Sequence, residues 1–289
     1  MARTELKLLK ERKLAELITP PRGSGVLEAS GVVRKGGAFY VIFDNVRRVA
    51  RIDPGLSTSS DRNGWFGKKR SGEGYEDIAY SPQLKRFYLL VEGEKHPDGT
   101  YKALIDECDE SGNFKGRRWV DFPFKKRNTG FEGLSAIRWK GTDYLLALCE
   151  GNRCKSGRRG RAGAGGRIQV LVRKGRMWVS IACIKLPKTL NFEDYSAVSL
   201  RGTRIAVVSQ MTSRLWIGRL RPGTWTIAGR GREYDFPRTK RGKPKYCTVE
   251  GFCWLSDTRF VAVSDLSKSR YRKGCGKKDQ SIHLFAIPS

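Results

Sequence analysis

One phrase with a glutamate at its second position recurs along the chain. It consists of an apolar residue, the glutamate, a small or acidic residue and then an apolar run. Carboxylates are the ligands that hard divalent cations prefer, and Ca²⁺ accepts about six to eight oxygen atoms in irregular geometry. The sequence therefore offers five candidate metal ligands. The copies are LEASGVV, YEDIAYS, FEGLSAI, FEDYSAV and VEGFCWL, which contain Glu28, Glu76, Glu132, Glu193 and Glu250.

A second apolar run follows each copy and ends in a polar residue. If the two runs are antiparallel strands, the end of the second returns to the glutamate at the start of the first. The acids at these ends are candidates for a general base or for holding a metal-bound water. Turn formation is the alternative explanation, because Asp and Ser are common in turns. The residues are Asp44, Glu92, Glu150, Ser209 and Asp265, and the four acids are the candidate catalytic residues.

The spacing of the phrase predicts the fold that positions these side chains. Neighbouring glutamates lie 48 to 61 residues apart, and two further strand-like runs complete each unit. Four strands in a repeat of roughly 40 to 60 residues are typical of a propeller blade. We predict an all-β, five-bladed β-propeller with four antiparallel strands per blade. Residues 1–289 form one domain, whose blades begin near the five glutamates.

The N-terminal segment is predicted to close this ring. The unit after Glu250 has only three clear strands, FCWLS, TRFVAVS and SIHLFAIPS. A strand over residues 13–18 therefore completes the last blade. Residues 4–12 fit a helix and a strand equally well, because Leu6, Leu9 and Lys13 also follow a helical stripe.

In a propeller the first strand of each blade lines a central channel, so the glutamates converge at one mouth. Charges at such distances repel strongly unless a cation or protons neutralise them. The sequence predicts a divalent cation there, Ca²⁺ first, with Mg²⁺ and Mn²⁺ as alternatives. In the other interpretation the glutamates only accept hydrogen bonds from the backbone of the neighbouring blade.

Positive charge dominates the composition. The chain has 57 Lys and Arg against 29 Asp and Glu, a formal net charge of +28, and many of the cations fall in loops that the blade topology places beside the glutamates. Such a collar attracts anions. The partner predicted is a phosphorylated or other anionic small molecule, with nucleic acid as an alternative, and the Gly-rich loop after Glu150 is expected to be flexible and to close over it. The candidate ligand-binding residues are Lys69, Arg70, Lys126, Arg127, Arg153, Arg158, Arg159, Lys240, Arg241, Arg270 and Arg272.

Several classes are excluded. No run of about 18 apolar residues occurs, and charges interrupt the apolar residues near the N-terminus, so no membrane span or signal peptide is expected. Seven scattered cysteines argue against a disulfide framework, which predicts a cytoplasmic protein, expected to be a monomer. CxxC, GxSxG and HExxH motifs are absent.

The phrases LEASGVV, FEGLSAI and VEGFCWL, with the runs that follow them, resemble small bacterial propellers of the SdiA-regulated and phytase-like esterase type. The glutamate in each unit is similar to the arrangement in calcium-activated nucleotidases (apyrases), five-bladed propellers with a central Ca²⁺. That resemblance implies a metal role for Glu28, Glu76, Glu132, Glu193 and Glu250. The predicted function is a metal-binding propeller that hydrolyses a phosphoester by metal-activated water. The alternative is a non-catalytic scaffold that binds nucleic acid or an acidic protein.

Overall fold

A computed structural model describes residues 3–23, 25–72, 74–127, 129–267 and 272–288. Regular structure in this part of the chain is predominantly β-strand, as the alternating, β-branched and aromatic runs predict. The helices are single turns: α1 (Leu14–Leu17), a 3₁₀ turn (Asn152–Cys154), α2 (Gly157–Arg161) and α3 (Arg272–Cys275).

Most strands pair antiparallel with the next strand along the chain, in groups of four that we call meanders. Meander 1 contains β3 (Ala29–Lys35), β4 (Ala38–Phe43), β5 (Val49–Ile52) and β6 (Gly64–Phe66). Meander 2 contains β7 (Ile78–Ser81), β8 (Arg86–Lys95), β9 (Tyr101–Asp109) and β10 (Phe114–Asp121). Meander 3 contains β11 (Phe131–Trp139), β12 (Thr142–Cys149), β13 (Arg167–Lys174) and β14 (Met177–Lys185). Parallel pairing of β10 with β14 joins meanders 2 and 3 into one eight-stranded sheet.

The last two meanders each recruit N-terminal residues. Meander 4 contains β15 (Ala197–Arg201), β16 (Arg204–Ser209), β17 (Arg214–Arg221) and β18 (Thr226–Asp235), and β1 (Thr4–Glu5) pairs parallel with β18. Meander 5 contains β19 (Val249–Trp254), β20 (Arg259–Ser264), β21 (Ser281–Ala286) and, paired with β21, β2 (Lys7–Lys13). Both neighbouring sheets are therefore held by one short stretch of chain.

The first strands of the meanders lie against one another in chain order. β3 contacts β7, β7 contacts β11, β11 contacts β15, β15 contacts β19, and β19 returns to β3. Side chains along the strands alternate between two faces, so each sheet packs on both neighbours. In β4, for example, Phe39 and Val41 pack towards meander 5, whereas Tyr40 and Ile42 pack towards meander 2.

The expected boundary of the N-terminal strand is wrong. The strand that pairs with β21 covers Lys7–Lys13, and residues 14–17 form α1 instead of continuing the strand to residue 18. The side chains of Leu14 and Leu17 are buried, and the Glu16 carboxylate accepts a hydrogen bond from the Lys13 amide, which fixes the start of the turn. Burial of this apolar pair overrides the extended pattern.

Two disulfides are present, although the scattered cysteines argued against a disulfide framework. Cys149 is bonded to Cys154, and Cys247 to Cys275, with Cα–Cα distances of 5.1 and 5.7 Å. The spacing does not predict the second bond, because Cys247 precedes β19 and Cys275 ends α3, in the connection between β20 and β21, so the two meet only once meander 5 has folded. Disulfides are typical of oxidising compartments, so the cytoplasmic location stays a prediction without its cysteine argument. In the described part of the chain, no helix is both long and apolar enough to cross a membrane.

Candidate functional site: an acidic cluster at the strand ends

Three of the five repeated glutamates take equivalent positions at the start of a first strand. Glu132 and Glu250 are each the extra residue of a β-bulge, between Phe131 and Gly133 and between Val249 and Gly251. The Glu76 amide donates to Leu90 O, and the Leu90 amide donates to Asp77 O, which sets Glu76 beside the same end of its partner strand. A bulge frees its extra residue from the ladder and turns its side chain out of the regular alternation.

Glu28 and Glu193 are not equivalent to these three, which corrects the expectation from the phrase. In meander 1 the bulge residue is Ser30, and in meander 4 the Ser196 amide bonds Val208 O as the Glu76 amide bonds Leu90 O. The Ser30 hydroxyl donates to Tyr75 O, and the Ser196 hydroxyl donates to Val249 O at 2.8 Å. These serines provide the backbone link between neighbouring sheets that the other interpretation assigned to glutamate.

Glu28 nevertheless joins the acidic cluster from the edge. Its carbonyl accepts from the Asp44 amide at 2.9 Å, and its carboxylate lies with those of Asp44 and Asp265 so that one oxygen of each falls within 4.8 Å of the others. Asp44 and Asp265 follow β4 and β20 directly. The predicted second layer of acids therefore meets the first, as antiparallel pairing requires.

Burial and mutual repulsion raise the pKa of several of these carboxyls. Burial, with the neighbouring Asp265 and Glu28, raises the pKa of Asp44 to about 8. Burial, with Glu92, Asp44 and Glu150, raises the pKa of Glu76 to about 8.

Glu132 and Glu250 are affected in the same direction. The pKa of each is well above its ordinary value, mainly through burial and then through the surrounding acids. A side-chain hydrogen bond also joins Glu132 and Glu76. The cluster thus holds protons near neutral pH, and a cation is the other means of neutralising it.

Asp194, and not Glu193, contributes the inner acid of meander 4. Glu193 is exposed, whereas Asp194 is buried and accepts bonds from the Ser209 hydroxyl and from the Met211 amide at 3.2 Å. Burial raises the pKa of Asp194 to about 6, and Glu150 and Glu193 add to the shift. Ser209 is therefore a hydrogen-bond donor to a buried acid. The phrase FEDYSAV contains both Glu193 and Asp194, and only the strand register in the structure shows which of the two side chains is buried.

The predicted cationic residues lie in several separate loops. Lys126, Arg127, Arg153, Arg158, Arg159, Lys240 and Arg241 are exposed on loops and on α2. Lys69 borders a cavity between meanders 1 and 2, and Arg70 lies beside buried Asp106. Arg270 lies outside the described residues, and Arg272 is the first residue of α3.

The Gly-rich loop after Glu150 is anchored, contrary to the expectation of flexibility. The fully buried Asn152 side chain donates to Gly160 O at 2.8 Å and to Phe192 O at 2.9 Å, and accepts from the Gly165 amide at 2.7 Å. The Cys149–Cys154 disulfide ties the same loop to the end of β12. Its arginines are presented on a fixed support.

The sequence interpretation did not identify the buried charge pairs that lie outside the acidic cluster. We call the members of that cluster the channel acids: Glu28, Asp44, Glu76, Glu132, Asp194, Glu250 and Asp265. Asp106 and Glu107 on β9 are 0 % exposed and lie against arginines from other strands and loops. The signal was present as the run LIDECD, in which two charges interrupt a buried strand. Arg47 was missed as well, because it follows Asp44 in what read as an ordinary turn.

Comparisons with known proteins place the fold and not the family. No family model matches the chain, and no curated protein matches it. Solved structures do match. Glutaminyl cyclase of Myxococcus xanthus aligns with 12% identity and a TM-score of 0.57 over 99% of both chains. The PQQ-bound aldose sugar dehydrogenase of Streptomyces coelicolor aligns with 12% identity and a TM-score of 0.52, over 96% of this chain and 98% of its own.

A third match covers only part of the matched structure. The GH43 BlXynB protein of Bacillus licheniformis aligns with 9% identity and a TM-score of 0.54, over 96% of this chain and 55% of its own. At such identities the likeness concerns architecture alone. The resemblance to SdiA-regulated propellers and apyrases has no support from a sequence family and stays a prediction. The chain is an all-β protein whose fold is similar to that of β-propeller-like enzymes.

Proposed function

We propose that the protein is a five-bladed β-propeller that binds a divalent cation, Ca²⁺ first, through Glu28, Asp44 and Asp265. The five meanders are the blades, and the cyclic contacts of their first strands support that count. The observation that carries the cation site is the spacing of the three carboxylates, each with one oxygen within 4.8 Å of the others. Ligands on opposite sides of one Ca²⁺ lie about 5 Å apart, since each Ca–O distance is about 2.3–2.6 Å.

The state of Asp44 supports the same site. Its Oδ1 atom is buried and has no hydrogen-bond partner among the described residues. Burial, Asp265 and Glu28 together raise the pKa of Asp44 to about 8. A buried carboxylate oxygen without a partner is costly, and a bound cation removes both the cost and the repulsion. Glu76, Glu132 and Glu250 lie further along the same acidic cluster and hold bridging waters in this proposal.

The surrounding cations support an anionic substrate. Exposed Arg153, Arg158, Arg159, Lys240 and Arg241 lie in loops after second strands and between meanders, which antiparallel topology places at the strand ends that carry the acids. We extend the proposal to hydrolysis of a phosphoester, in which water attacks phosphorus and the alcohol leaves with a proton. A bound cation lowers the pKa of such a water, and Glu92 or Glu150 accepts its proton. The enzymes of similar fold have unrelated activities, so they do not select a reaction.

Calorimetry with Ca²⁺, Mg²⁺ and Mn²⁺ tests the cation site. We expect one Ca²⁺ to bind to the wild type, and Asp44→Asn or Asp265→Asn to weaken binding by about a hundredfold or more, as expected for loss of a charged ligand. Asp61→Asn is the matched control, because Asp61 is exposed in the loop between β5 and β6. Absence of binding by all three ions, or equal loss in the control, would rule the site out.

Hydrolysis is tested separately with p-nitrophenyl phosphate at saturating Ca²⁺. Activity that disappears in Asp44→Asn and persists in Asp61→Asn supports the reaction class. Bis(p-nitrophenyl) phosphate serves as the phosphodiester probe. If the protein binds the cation but hydrolyses neither compound, the proposed reaction is wrong and the cation site is unaffected.

A scaffold that binds nucleic acid is the second candidate, and it is favoured by the net charge of +28 with many exposed cations. Binding through phosphate contacts weakens steeply with salt. The logarithm of the binding constant falls against the logarithm of the salt concentration with a slope of about −0.9 for each phosphate contacted on duplex DNA. This candidate predicts that affinity for a duplex is unchanged in Asp44→Asn. A flat salt dependence would contradict it.

A further inference from the structure

A cavity of about 390 Å³ lies between meanders 1 and 2, and no acid of the channel cluster lines it. Its volume falls within the roughly 300–1,000 Å³ usual for small-molecule sites. Five basic residues and several aromatic ones border it, which is an unusual pairing for a gap between two sheets. The basic residues are Arg47, Arg48, Lys68, Lys69 and Arg70.

The basic side of the cavity rests on a buried ion network. Asp106, fully buried, accepts from Arg117 Nε at 2.7 Å and from Arg117 Nη2 at 3.0 Å. Arg47 Nη2 lies 3.4 Å and Arg70 Nε 3.3 Å from the same carboxylate, and Tyr75 donates its hydroxyl at 3.2 Å. Three guanidinium groups thus share one carboxylate, which leaves an excess of two positive charges before the other cavity cations are considered.

Arg47 is held in place and keeps an unused donor. Its side chain is about 3 % exposed, its Nη1 atom donates to Ser71 O at 3.2 Å, and its guanidinium lies over the Tyr75 ring. Its Nε atom is buried and has no hydrogen-bond partner among the described residues, and the same is true of Arg48 Nε. A buried, oriented donor without a partner is costly unless a ligand accepts from it.

Aromatic and aliphatic side chains line the cavity beside the basic ones. Phe66, Phe87, Leu89 and Phe114 line it, and the Arg70 guanidinium stacks on the Phe114 ring at 3.6 Å. Phe66 meets Phe87 edge to face at 5.7 Å and Tyr40, which does not line the cavity, at 4.8 Å, so its ring is held in place by packing. Such a wall offers a stacking surface for a flat ring next to the cationic side.

We propose that this cavity binds an aromatic phosphomonoester of the size of a nucleoside monophosphate. The phosphate faces Arg47, Arg48, Lys68 and Lys69, and the ring packs on Phe66 and Phe114. A dianionic phosphate matches the local excess of positive charge, and guanidinium groups are suited to bind it with paired hydrogen bonds. The site stands independently of the cation site, with which it shares no residue.

The probes that test this proposal are adenosine 5′-monophosphate, adenosine and inorganic phosphate, titrated calorimetrically in the presence of EDTA. We expect the monophosphate to bind at least about tenfold more tightly than either fragment, since charge and stacking both contribute. Lys68→Glu/Lys69→Glu reverses two exposed charges at the rim and should weaken binding at least about tenfold. Lys174→Glu/Arg176→Glu makes the same charge change on the exposed turn between β13 and β14 and should leave the affinity unchanged.

The outcomes separate cleanly. Phosphate that binds as tightly as the nucleotide overturns the aromatic part of the proposal. Absence of nucleotide binding, or equal weakening by both double variants, overturns the site. Nucleotide binding that is retained in Asp44→Asn and lost in Lys68→Glu/Lys69→Glu assigns the site to this cavity and not to the channel.

Discussion

Two groups of carboxylates in this protein are buried in opposite electrostatic surroundings. Those on β9 are enclosed by arginine: Asp106 by Arg47, Arg70 and Arg117, and Glu107 by Arg86, Arg118 and Arg173. Those of the acidic cluster face other acids, and the pKa of Glu76 and of Asp44 rises to about 8 as burial and repulsion combine.

The difference indicates two roles: the β9 acids stabilise the fold, whereas the channel acids are suited to bind a ligand. Removing one partner of a buried ion pair strands the other charge, so the β9 acids are expected to stabilise the fold as it stands. The channel acids repel one another, and their removal should relieve the folded state instead. Clustered acids that weaken the fold are expected where a ligand supplies the compensation, and the proposed ligand is a cation.

The largest effect is expected at Asp106. Asp106→Asn removes the charge that three buried or partly buried guanidinium groups share, and we expect the free energy of unfolding to fall by about 3–5 kcal/mol. Urea denaturation measures the change. Asp61→Asn, on the surface, should stay within about 0.5 kcal/mol of the wild type, and a similar small change at Asp106 would contradict the structural role.

Glu107→Gln should be destabilising by less, about 1–3 kcal/mol, as for loss of a charged hydrogen-bond acceptor. Two of its partners, Arg86 and Arg173, have side chains that are 28% and 44% exposed, so water can solvate them after the change. Equal losses at Asp106 and Glu107 would show that partner exposure does not set the cost. The same urea experiment provides the comparison.

Unlike the two β9 substitutions, Glu76→Gln should raise the free energy of unfolding at high pH. Because the folded-state pKa of Glu76 is raised from 4.5 to about 8, the unfolded chain binds fewer protons between these values and stability falls as pH rises. The slope is at most about 1.4 kcal/mol per pH unit for one proton.

The glutamine variant lacks that loss. Without divalent cations it should match the wild type near pH 4 and exceed it above about pH 8. Urea midpoints measured across this range in EDTA give the comparison. A wild type that stays more stable than the variant at high pH would place Glu76 with the β9 acids.

The smallest effect is expected from salt. Raising NaCl from about 0.05 to about 0.5 M shortens the screening length and should weaken repulsion among the partly exposed channel acids. We expect a gain of a few tenths of a kcal/mol for the cation-free wild type at pH 8.5, and a smaller gain for Glu76→Gln. Thermal melts at both salt concentrations measure it, and equal gains would mean that surface charge dominates.

The sequence carried enough information for the strands and for the meeting of the two acidic layers. Continuous apolar runs mark β4 and β20, and antiparallel pairing then returns Asp44 and Asp265 towards the start of the first strands. It did not carry the register. In meander 1 the bulge residue is Ser30, which takes the position of Glu132 and Glu250 in their meanders. Glu28 lies two residues earlier, and the sequence pattern alone does not show that offset.

Long-range pairings were beyond the reach of local patterns. Arg47 meets Asp106 across 59 residues, and Cys247 meets Cys275 across 28. The helical turn at Leu14–Leu17 depends on the burial of its two leucines, which the residues adjacent in sequence do not predict. Each of these features is decided by packing between elements, which a single sequence specifies only through the completed fold.

The pairing of β2 with β21 also constrains the order of folding. Residues 7–13 must wait for residues 281–286 before their strand has a partner, so the fifth sheet is completed only after that later segment has been synthesised. Contacts so distant in sequence are slow to form, because a long loop must close first. Asp265 lies in that late sheet and Glu28 and Asp44 in or beside the first. Approach of these three carboxylates therefore requires that the first and the fifth meander have met.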